Sequence, residues 1–162
     1  LKETQTASLL VLFKVGSRQE APKIYGISHF IEHLMFKGTT RRPTKLDLSK
    51  ELDGIGAEYN AFTGKDVTGY YIKSDQRHLS LAIDMLSDML LNSKFDPAEI
   101  EKEKGVIVEE INMYEDNPMM FVEEMLEEML FDGSELSHAI AGSRATVKAV
   151  TRAGVIKYKK NY

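Results

Sequence analysis

The sequence predicts an α+β domain, a mostly antiparallel sheet with helices packed on it, from three observations. Ala57–Phe62 and Asp66–Lys73 have the composition of strands, and Thr63–Lys65 between them is a hairpin signal. Apolar residues recur at helical spacing from Leu79 to Leu90. Long helical segments around one strand pair indicate that helices pack against a small sheet.

Three further elements are predicted before the hairpin. Ala7–Val15 is apolar enough for a strand that is buried on both faces. Gly26–Phe36 is too long for most strands and predicts a helix. Thr44 followed by Asp47 resembles a capping box, which opens a helix that closes near Gly54.

Helix caps predict the elements after the hairpin. Asp96-Pro97 supplies an N-cap and a first-turn proline, with Glu99 completing a capping box, for a helix that reaches about Tyr114. Asn117-Pro118 opens another helix over Met119–Phe131. Its acidic residues are spaced as the outer face of an amphipathic helix, and its methionines are predicted to serve packing. These residues are Glu123, Glu124, Glu127 and Glu128, and Met119, Met120, Met125 and Met129. Two short helices are predicted near the end, over Ala145–Lys148 and Ala153–Lys159.

Composition and charge exclude several classes of protein. The 162 residues are 43% hydrophobic and 28% charged, which is typical of a soluble globular protein of about one domain. The absence of cysteine excludes disulfide frameworks, thiolate catalysis and cysteine-ligated zinc. A net charge of −4 argues against nucleic acid as a partner. The longest apolar run, Leu9–Phe13, is too short to cross a membrane, so no membrane partner is expected.

No linker or repeat divides the chain, so residues 1–162 are predicted to form a single domain. The chain begins at Leu1 rather than Met, from which we expect that an upstream segment has been removed. No signal peptide is recognisable, and we expect a cytoplasmic protein.

The stretch from His29 to His33, His-Phe-Ile-Glu-His, carries the predicted chemistry. On a helix, residues i and i+4 share a face, so both imidazoles can bind one metal ion. Glu32 lies about 60° to the other side of His29, so it can reach a water beside the metal without ligating the metal. Zinc hydrolases use these parts: neutral nitrogen ligands, an open position and a nearby base.

The alternative is a buried helix whose histidines only satisfy local hydrogen bonds. Apolar residues surround the motif on every side: Ile27, Phe30, Ile31, Leu34, Met35 and Phe36. Three polar groups among them would be costly unless they share a partner, which favours a metal ion.

A third ligand must come from elsewhere, and the helix after residue 96 offers several glutamates. With Ile100 set to zero on a helical wheel, Glu103 and Glu110 fall at about −60° and −80°, inside a wide apolar arc. Glu109 falls at about 180°, on the polar side. Because carboxylates inside a core-facing stripe need a cation or many hydrogen bonds, Glu110 is predicted as the third ligand.

Glu103 is predicted to act differently from Glu110. The two residues are about 10 Å apart along the helix axis, which is too far for them to bind one ion easily. A role in orienting a ligand histidine suits Glu103 better, and a simple ion pair with a nearby Lys or Arg is the alternative. The apolar arc that contains both is predicted to be bounded by Val106 and Met113.

The other two histidines match no metal-binding pattern. His78 is at a helix start and is predicted to lie at the surface, and His138 is predicted to lie in a loop.

These residues together resemble a known family. Gly26–Thr39 is similar to the signature of the pitrilysin family (M16), the inverted zinc peptidases with His-x-x-Glu-His. Asn60–Thr63, with Thr68 and Tyr70, is similar to the segment that follows in that family. Glu101–Met113 resembles the block that carries the third ligand. The resemblance is strongest to bacterial processing proteases and mitochondrial processing peptidases.

The resemblance implies a zinc-dependent endopeptidase that acts on peptides or unfolded protein segments, with one Zn²⁺ per chain. It implies that His29, His33 and Glu110 hold the metal, that Glu32 is the general base, and that Glu103 has a further catalytic role. It also favours Ala57–Thr63 as an edge strand that receives the peptide by strand addition, through Asn60, Ala61 and Phe62. An ordinary hairpin strand is the alternative for that segment.

Family members pair two homologous halves as a clamshell around the peptide, and this chain resembles most of the zinc-bearing half. We therefore expect it to be incomplete at both ends and to need a homologous second half or self-association. The alternative function is a non-catalytic subunit that binds peptides or scaffolds a larger complex, which the intact zinc residues disfavour. A purely structural zinc site would use four protein ligands. Cobalt or manganese would suit similar ligands.

Overall fold

The computed structural model describes residues 4–162 and contains one antiparallel sheet with helices packed against it. The strands are β1 (Thr6–Phe13), β2 (Glu58–Thr63) and β3 (Thr68–Asp75), in the order β1-β3-β2. The described helices are α1 (Ile27–Met35), α2 (Lys45–Gly54), α3 (Leu79–Asn92), α4 (Pro97–Asp116), α5 (Pro118–Leu130), α6 (Arg144–Ala149) and α7 (Arg152–Asn161). Short 3₁₀ turns occur at Ser17–Gln19, Pro22–Ile24 and Gln76–His78. The α+β prediction is therefore confirmed.

The sheet register sets which side chains face the helices. Leu9 lies opposite Ile72, and Tyr59 lies opposite the same residue from the other side. Since strand side chains alternate, the inner face carries the buried Tyr70 and Ile72, whereas Tyr71 points to the outer face. Helix α3 packs under β1 and β3, and α1 packs between β2 and α4. Helix α1 is therefore held between the sheet edge and the long helix α4.

The N-caps predicted for α2 and α4 are present in the structure. Thr44 and Asp47 form the predicted capping box at the start of α2. Asp96 caps α4 by accepting a hydrogen bond from the Ala98 N–H at 2.8 Å. Glu99 pairs with Lys102 at 2.6 Å, so the predicted box there is wrong.

The prediction that β1 is buried on both faces is also wrong. Its residues alternate between exposed and partly buried, and Leu10 and Leu12 lie on the open outer face. Within residues 4–162, β1 is at one edge of the sheet and no helix covers the outer face. An apolar run thus predicted the strand correctly but not its surroundings.

Helix α5 is more exposed than predicted. Met129 is 75% exposed and Leu130 is 68% exposed, and no residue of this helix is buried. The predicted packing role of Met119, Met120, Met125 and Met129 is therefore wrong for the described residues. The cause is that, among the described elements, only α4 packs extensively against α5, and no second layer covers its apolar side.

None of the helices within residues 4–162 has both the length and the apolarity needed to cross a membrane.

Candidate metal centre

Helix α1 carries the His-x-x-Glu-His motif, and its first turn is held by a buried carboxylate. Glu20 accepts hydrogen bonds from the backbone N–H groups of Gly26 at 2.6 Å and Ser28 at 2.7 Å. Gly26 has φ +91°, and a Cβ there would lie 2.3 Å from the Ala141 carbonyl oxygen, so glycine is required. Burial raises the pKa of Glu20 to about 7. The start of the helix that presents His29 is thus fixed from outside the helix.

Three predicted ligands converge on one point between α1 and α4. The Nε2 atoms of His29 and His33 are 3.2 Å apart, and Glu110 places its carboxylate oxygens 3.7 Å and 3.5 Å from them. One ligand atom from each residue lies within 4.8 Å of the others. In a tetrahedral site with bonds of about 2.0–2.1 Å, ligand atoms are about 3.3 Å apart. The three side chains therefore fit a zinc ion.

Glu103 and Lys37 complete the surroundings of His33. Glu103 is 2% exposed; it accepts a hydrogen bond from His33 Nδ1 at 2.8 Å and pairs with Lys37 at 2.5 Å. Burial raises the pKa of Glu103, but the hydrogen bonds from His33 and Lys37 outweigh it and lower that pKa below its usual value. Because Nδ1 donates to Glu103, His33 Nε2 is directed toward the ligand cluster. Both alternatives predicted for Glu103, the orienting contact and the ion pair, are present.

The two histidines differ in their affinity for protons. Burial, together with the nearby His33, lowers the pKa of His29 to about 4, so His29 is neutral near pH 7. Burial also lowers the pKa of His33, but the hydrogen bond and charge of Glu103, with Glu110 and Glu32, raise it above its usual value. A cluster with one neutral imidazole and surrounding carboxylates suits a bound cation.

Glu32 lies beside the three candidate ligands, but it is not part of the group of residues whose ligand atoms converge. Its Oε2 accepts a hydrogen bond from the Thr63 hydroxyl of β2 at 2.5 Å. Burial raises the pKa of Glu32 above its usual value, against the opposing effect of the Thr63 hydrogen bond. A carboxylate with a raised pKa next to a group of metal-ligating side chains is suited to accept and return a proton.

Two cavities meet at Glu32 and follow β2. The first, of about 400 Å³, is lined by His29, Glu32, Phe62, Thr63 and Glu110 among others. The second, of about 320 Å³, is lined by Glu32, His33, Phe36, Tyr59 and Asn60 among others. Together they form a groove along β2 with the ligand cluster at its centre.

The outer edge of β2 borders this groove. Within residues 4–162, β2 pairs only with β3, so its other edge has no strand partner. The Ala61 N–H is bonded to the side-chain oxygen of Asn60 at 2.9 Å. Phe62 is exposed and lies against Gly69 on the outer face, where a Cβ would meet its ring at 2.4 Å. The predicted substrate-binding residues are thus accessible along one strand edge.

The far wall of the first cavity is acidic. It is formed by Glu123, Glu124 and Glu127 of α5, and Lys65 pairs with Glu127 at 3.1 Å. Burial raises the pKa of Glu124 above its usual value. Glu123 and Glu127 are exposed, as expected for the outer face of the helix, and this face also borders the groove.

The boundary residues predicted for α4 and the two histidines outside the motif lie away from the ligand cluster. Val106 and Met113 are exposed rather than bounding a buried arc. His78 is partly buried at the start of α3. His138 lies in a loop, where it stacks on Tyr25 and its Nε2 is 2.8 Å from the Ser17 carbonyl oxygen. His138 is therefore held by local packing, away from the ligand cluster.

Thr63 and Lys37 are site residues that the sequence analysis did not select. Lys37 follows the motif helix, and its pairing with Glu103 depends on the packing of α1 against α4. The position of Thr63 could have been predicted from the sequence, because Tyr59, Ala61 and Thr63 alternate along β2 and share one face. That face is directed toward α1.

Comparison with known proteins agrees with this geometry. Residues 1–144 match the family described as Insulinase (Peptidase family M16). The chain belongs to this family. It is 38% identical over 158 residues to an uncharacterized zinc protease, YmxG, of Bacillus subtilis, covering 98% of this chain and 38% of that protein. It is 35% identical over 159 residues to the mitochondrial-processing peptidase subunit beta of Dictyostelium discoideum, covering 98% and 34%.

A solved structure shows the same fold. A protease from Helicobacter pylori superposes with a TM-score of 0.93 at 24% identity, covering 98% of this M16 chain and 38% of that chain. This M16 chain thus spans little more than a third of the length of the relatives that it matches.

Proposed function

We propose that residues 1–162 are one zinc-bearing catalytic domain of a metalloendopeptidase that hydrolyses peptides or unfolded protein segments. The observation that carries the proposal is the cluster of His29, His33 and Glu110, with the unligated Glu32 beside it. Three protein ligands leave a fourth position open, which is typical of catalytic rather than structural zinc. Zinc protease relatives support the choice of metal.

The residues divide the chemistry among them. A zinc ion bound by the three ligands would polarise the scissile carbonyl and lower the pKa of a water. Glu32 takes the proton from the attacking water and returns it to the leaving amine. Its raised pKa favours the first transfer, because a more basic carboxylate accepts the proton of the attacking water more readily. Glu103 keeps the His33 ring in the orientation that directs Nε2 into the site.

The peptide lies in the groove along β2. An extended segment added at the free edge would pair with the backbone of Asn60, Ala61 and Phe62, so recognition depends on main chain more than on side chains. The Asn60 side chain must then release the Ala61 N–H, which it bonds in the absence of peptide. The acidic wall formed by α5 favours substrates with a cationic side chain on that side of the cleaved bond.

Hydrolysis of a quenched, unstructured peptide tests the proposal. Wild-type protein should cleave it, a chelator should abolish cleavage, and added zinc should restore it. Glu32→Gln should keep its zinc and bind peptide, but lose about 10²–10⁴-fold in turnover, because the general base is removed. Peptide binding without any zinc-dependent cleavage would identify a non-catalytic binding subunit instead. Loss of zinc from Glu32→Gln would make Glu32 a ligand and contradict the mechanism.

We also propose that a homologous second half, or another copy of the chain, completes the site. The groove is open to solvent, and α5 beside it exposes most of its apolar residues. The chain covers 34% of a relative whose name describes a subunit. Specific activity should rise with protein concentration as light scattering detects larger species. High activity from a monomer at every concentration would show that one half is sufficient.

A further inference from the structure

The contact between Thr63 and Glu32 joins the predicted peptide-binding strand to the predicted base. The Thr63 hydroxyl donates to Glu32 Oε2, and Oε1 has no hydrogen bond to any residue in 4–162. Glu32 lines both cavities of the groove, whereas Thr63 lines the first. The two carboxylate oxygens therefore have different surroundings.

We propose that Thr63 is a positioning residue that holds Oε2 of Glu32, so that Oε1 is the oxygen that exchanges the proton. This inference rests on the proposed peptidase function. The proton passes from the attacking water to Oε1 and then to the leaving amine, while Thr63 keeps its own proton. A donor fixed on Oε2 also favours protonation at the other oxygen, since Oε2 already accepts a hydrogen bond.

The position of the Thr63 hydroxyl is set by a rigid hairpin end. Thr63 lies opposite Thr68, whose hydroxyl is bonded to the Val15 carbonyl oxygen at 2.9 Å. The Gly64 N–H donates to the Val67 carbonyl oxygen at 2.8 Å and closes the turn. The backbone N–H of Ser17 donates to the Gly64 carbonyl oxygen. A β-branched side chain on such a strand has few accessible rotamers. The hydroxyl can thus hold the carboxylate of Glu32 in one orientation.

The same contact couples peptide binding to the base. A peptide added along the outer edge of β2 would immobilise the strand that carries Thr63. Glu32 would then be held most firmly when substrate is present, which is when its orientation affects the rate.

Two substitutions of Thr63 test the inference on turnover. Thr63→Val keeps the shape and the β-branch but removes the hydroxyl, and we expect kcat to fall by about 10- to 100-fold, the range for loss of a hydrogen bond to a charged group. KM and bound zinc should be unchanged, because neither the peptide edge nor a ligand is altered. Thr63→Ser restores the hydroxyl and should return kcat to within about threefold of wild type. A raised KM with unchanged kcat would instead make Thr63 a peptide-binding residue and overturn the inference.

A second measurement does not depend on activity. Unfolding of the zinc-free chain is compared for Thr63→Val, Glu32→Ala and the double variant. If the hydrogen bond exists in solution, the double variant should lose less stability than the sum of the two single losses. Strict additivity would overturn the inference, even if the wild type is an active peptidase. Coupling without any peptide cleavage by the wild type would retain the contact but refute both the peptidase function and the role of Thr63 in it.

Discussion

Helices α4 and α5 are both rich in glutamate and adjacent in sequence, yet their acidic residues differ in surroundings. In α4, Glu103 is buried against His33 and Lys37, and Glu110 meets both histidines. In α5, Glu123 and Glu124 have no ion pair among the described residues and line an open cavity. The α4 carboxylates thus have fixed partners, whereas those of α5 face a space that a substrate could fill.

The difference arises from what covers each helix. Helix α4 packs against α1, α5 and α6, so its inward stripe has partners on several sides. Among the described elements, helix α5 packs extensively only on α4, and its apolar side faces solvent. A helical wheel therefore separates two faces correctly, but only neighbouring elements determine which face is buried.

The largest effect is expected from the α4 residue that contacts both histidines. Glu110→Gln should lower zinc affinity by more than about 100-fold, since removing a direct ligand should exceed the 10–100-fold typical of groups behind the ligands. The matched control is Glu109→Gln, one residue away and exposed. Zinc content after dialysis measures both variants. Equal losses of zinc from the two variants would mean that α4 does not direct Glu110, rather than Glu109, toward the histidines.

A smaller loss is expected from the α4 residue behind the histidine. Glu103→Gln should lower zinc affinity by about 10- to 100-fold, because His33 loses the partner that orients its ring. Titration with a competing chelator gives the affinity, and Glu101→Gln on the exposed side of α4 is the control. Unchanged affinity would reduce Glu103 to a structural ion pair with Lys37.

Most of the site could be predicted because it depends on local spacing. His29, Glu32 and His33 are fixed relative to one another by one helix, and the phase of α4 selects Glu110 over Glu109. The contact of Thr63 with Glu32 could not be obtained in this way, since it joins residues 31 positions apart through the packing of β2 on α1. The exposed faces of β1 and α5 were missed for a related reason. An apolar pattern shows which side would prefer burial, and the neighbouring elements decide whether it is buried.

The zinc-free chain should show the effect of Glu103 on stability as pH changes. Glu103 and the other nearby carboxylates raise the folded-state pKa of His33 despite its burial. The stabilisation is therefore complete below the unfolded-state value of about 6.5 and is lost as pH rises through the raised folded-state pKa. Denaturant unfolding from pH 6.5 to 9 with chelator present should show this decline, and Glu103→Gln should flatten it. A decline over this range that is equally steep in the wild type and in Glu103→Gln would contradict the role of Glu103 in the shift.

Helix α5 should affect substrate choice without affecting the metal. Glu124→Gln should leave zinc content unchanged and lower kcat/KM for a peptide with a cationic residue by about two- to fivefold, as expected for a partly exposed charge interaction. A neutral peptide of the same length should be cleaved as before, and added salt should reduce the difference. Glu128→Gln, on the same helix but outside the cavity lining, is the control. An equal loss for both peptides would show that Glu124 affects the fold rather than the charge of the groove.

The smallest effect is expected from the apolar side of α5. Met129→Ala should change the free energy of unfolding by less than about 0.5 kcal/mol, because the side chain is already in solvent. Ile107→Ala on α4 removes a side chain that is 0% exposed and should cost about 2–5 kcal/mol. Denaturant unfolding at low protein concentration measures both. A cost above about 1 kcal/mol for Met129→Ala that grows as the protein concentration is raised would contradict the prediction and mean that another copy of the chain covers this surface in solution.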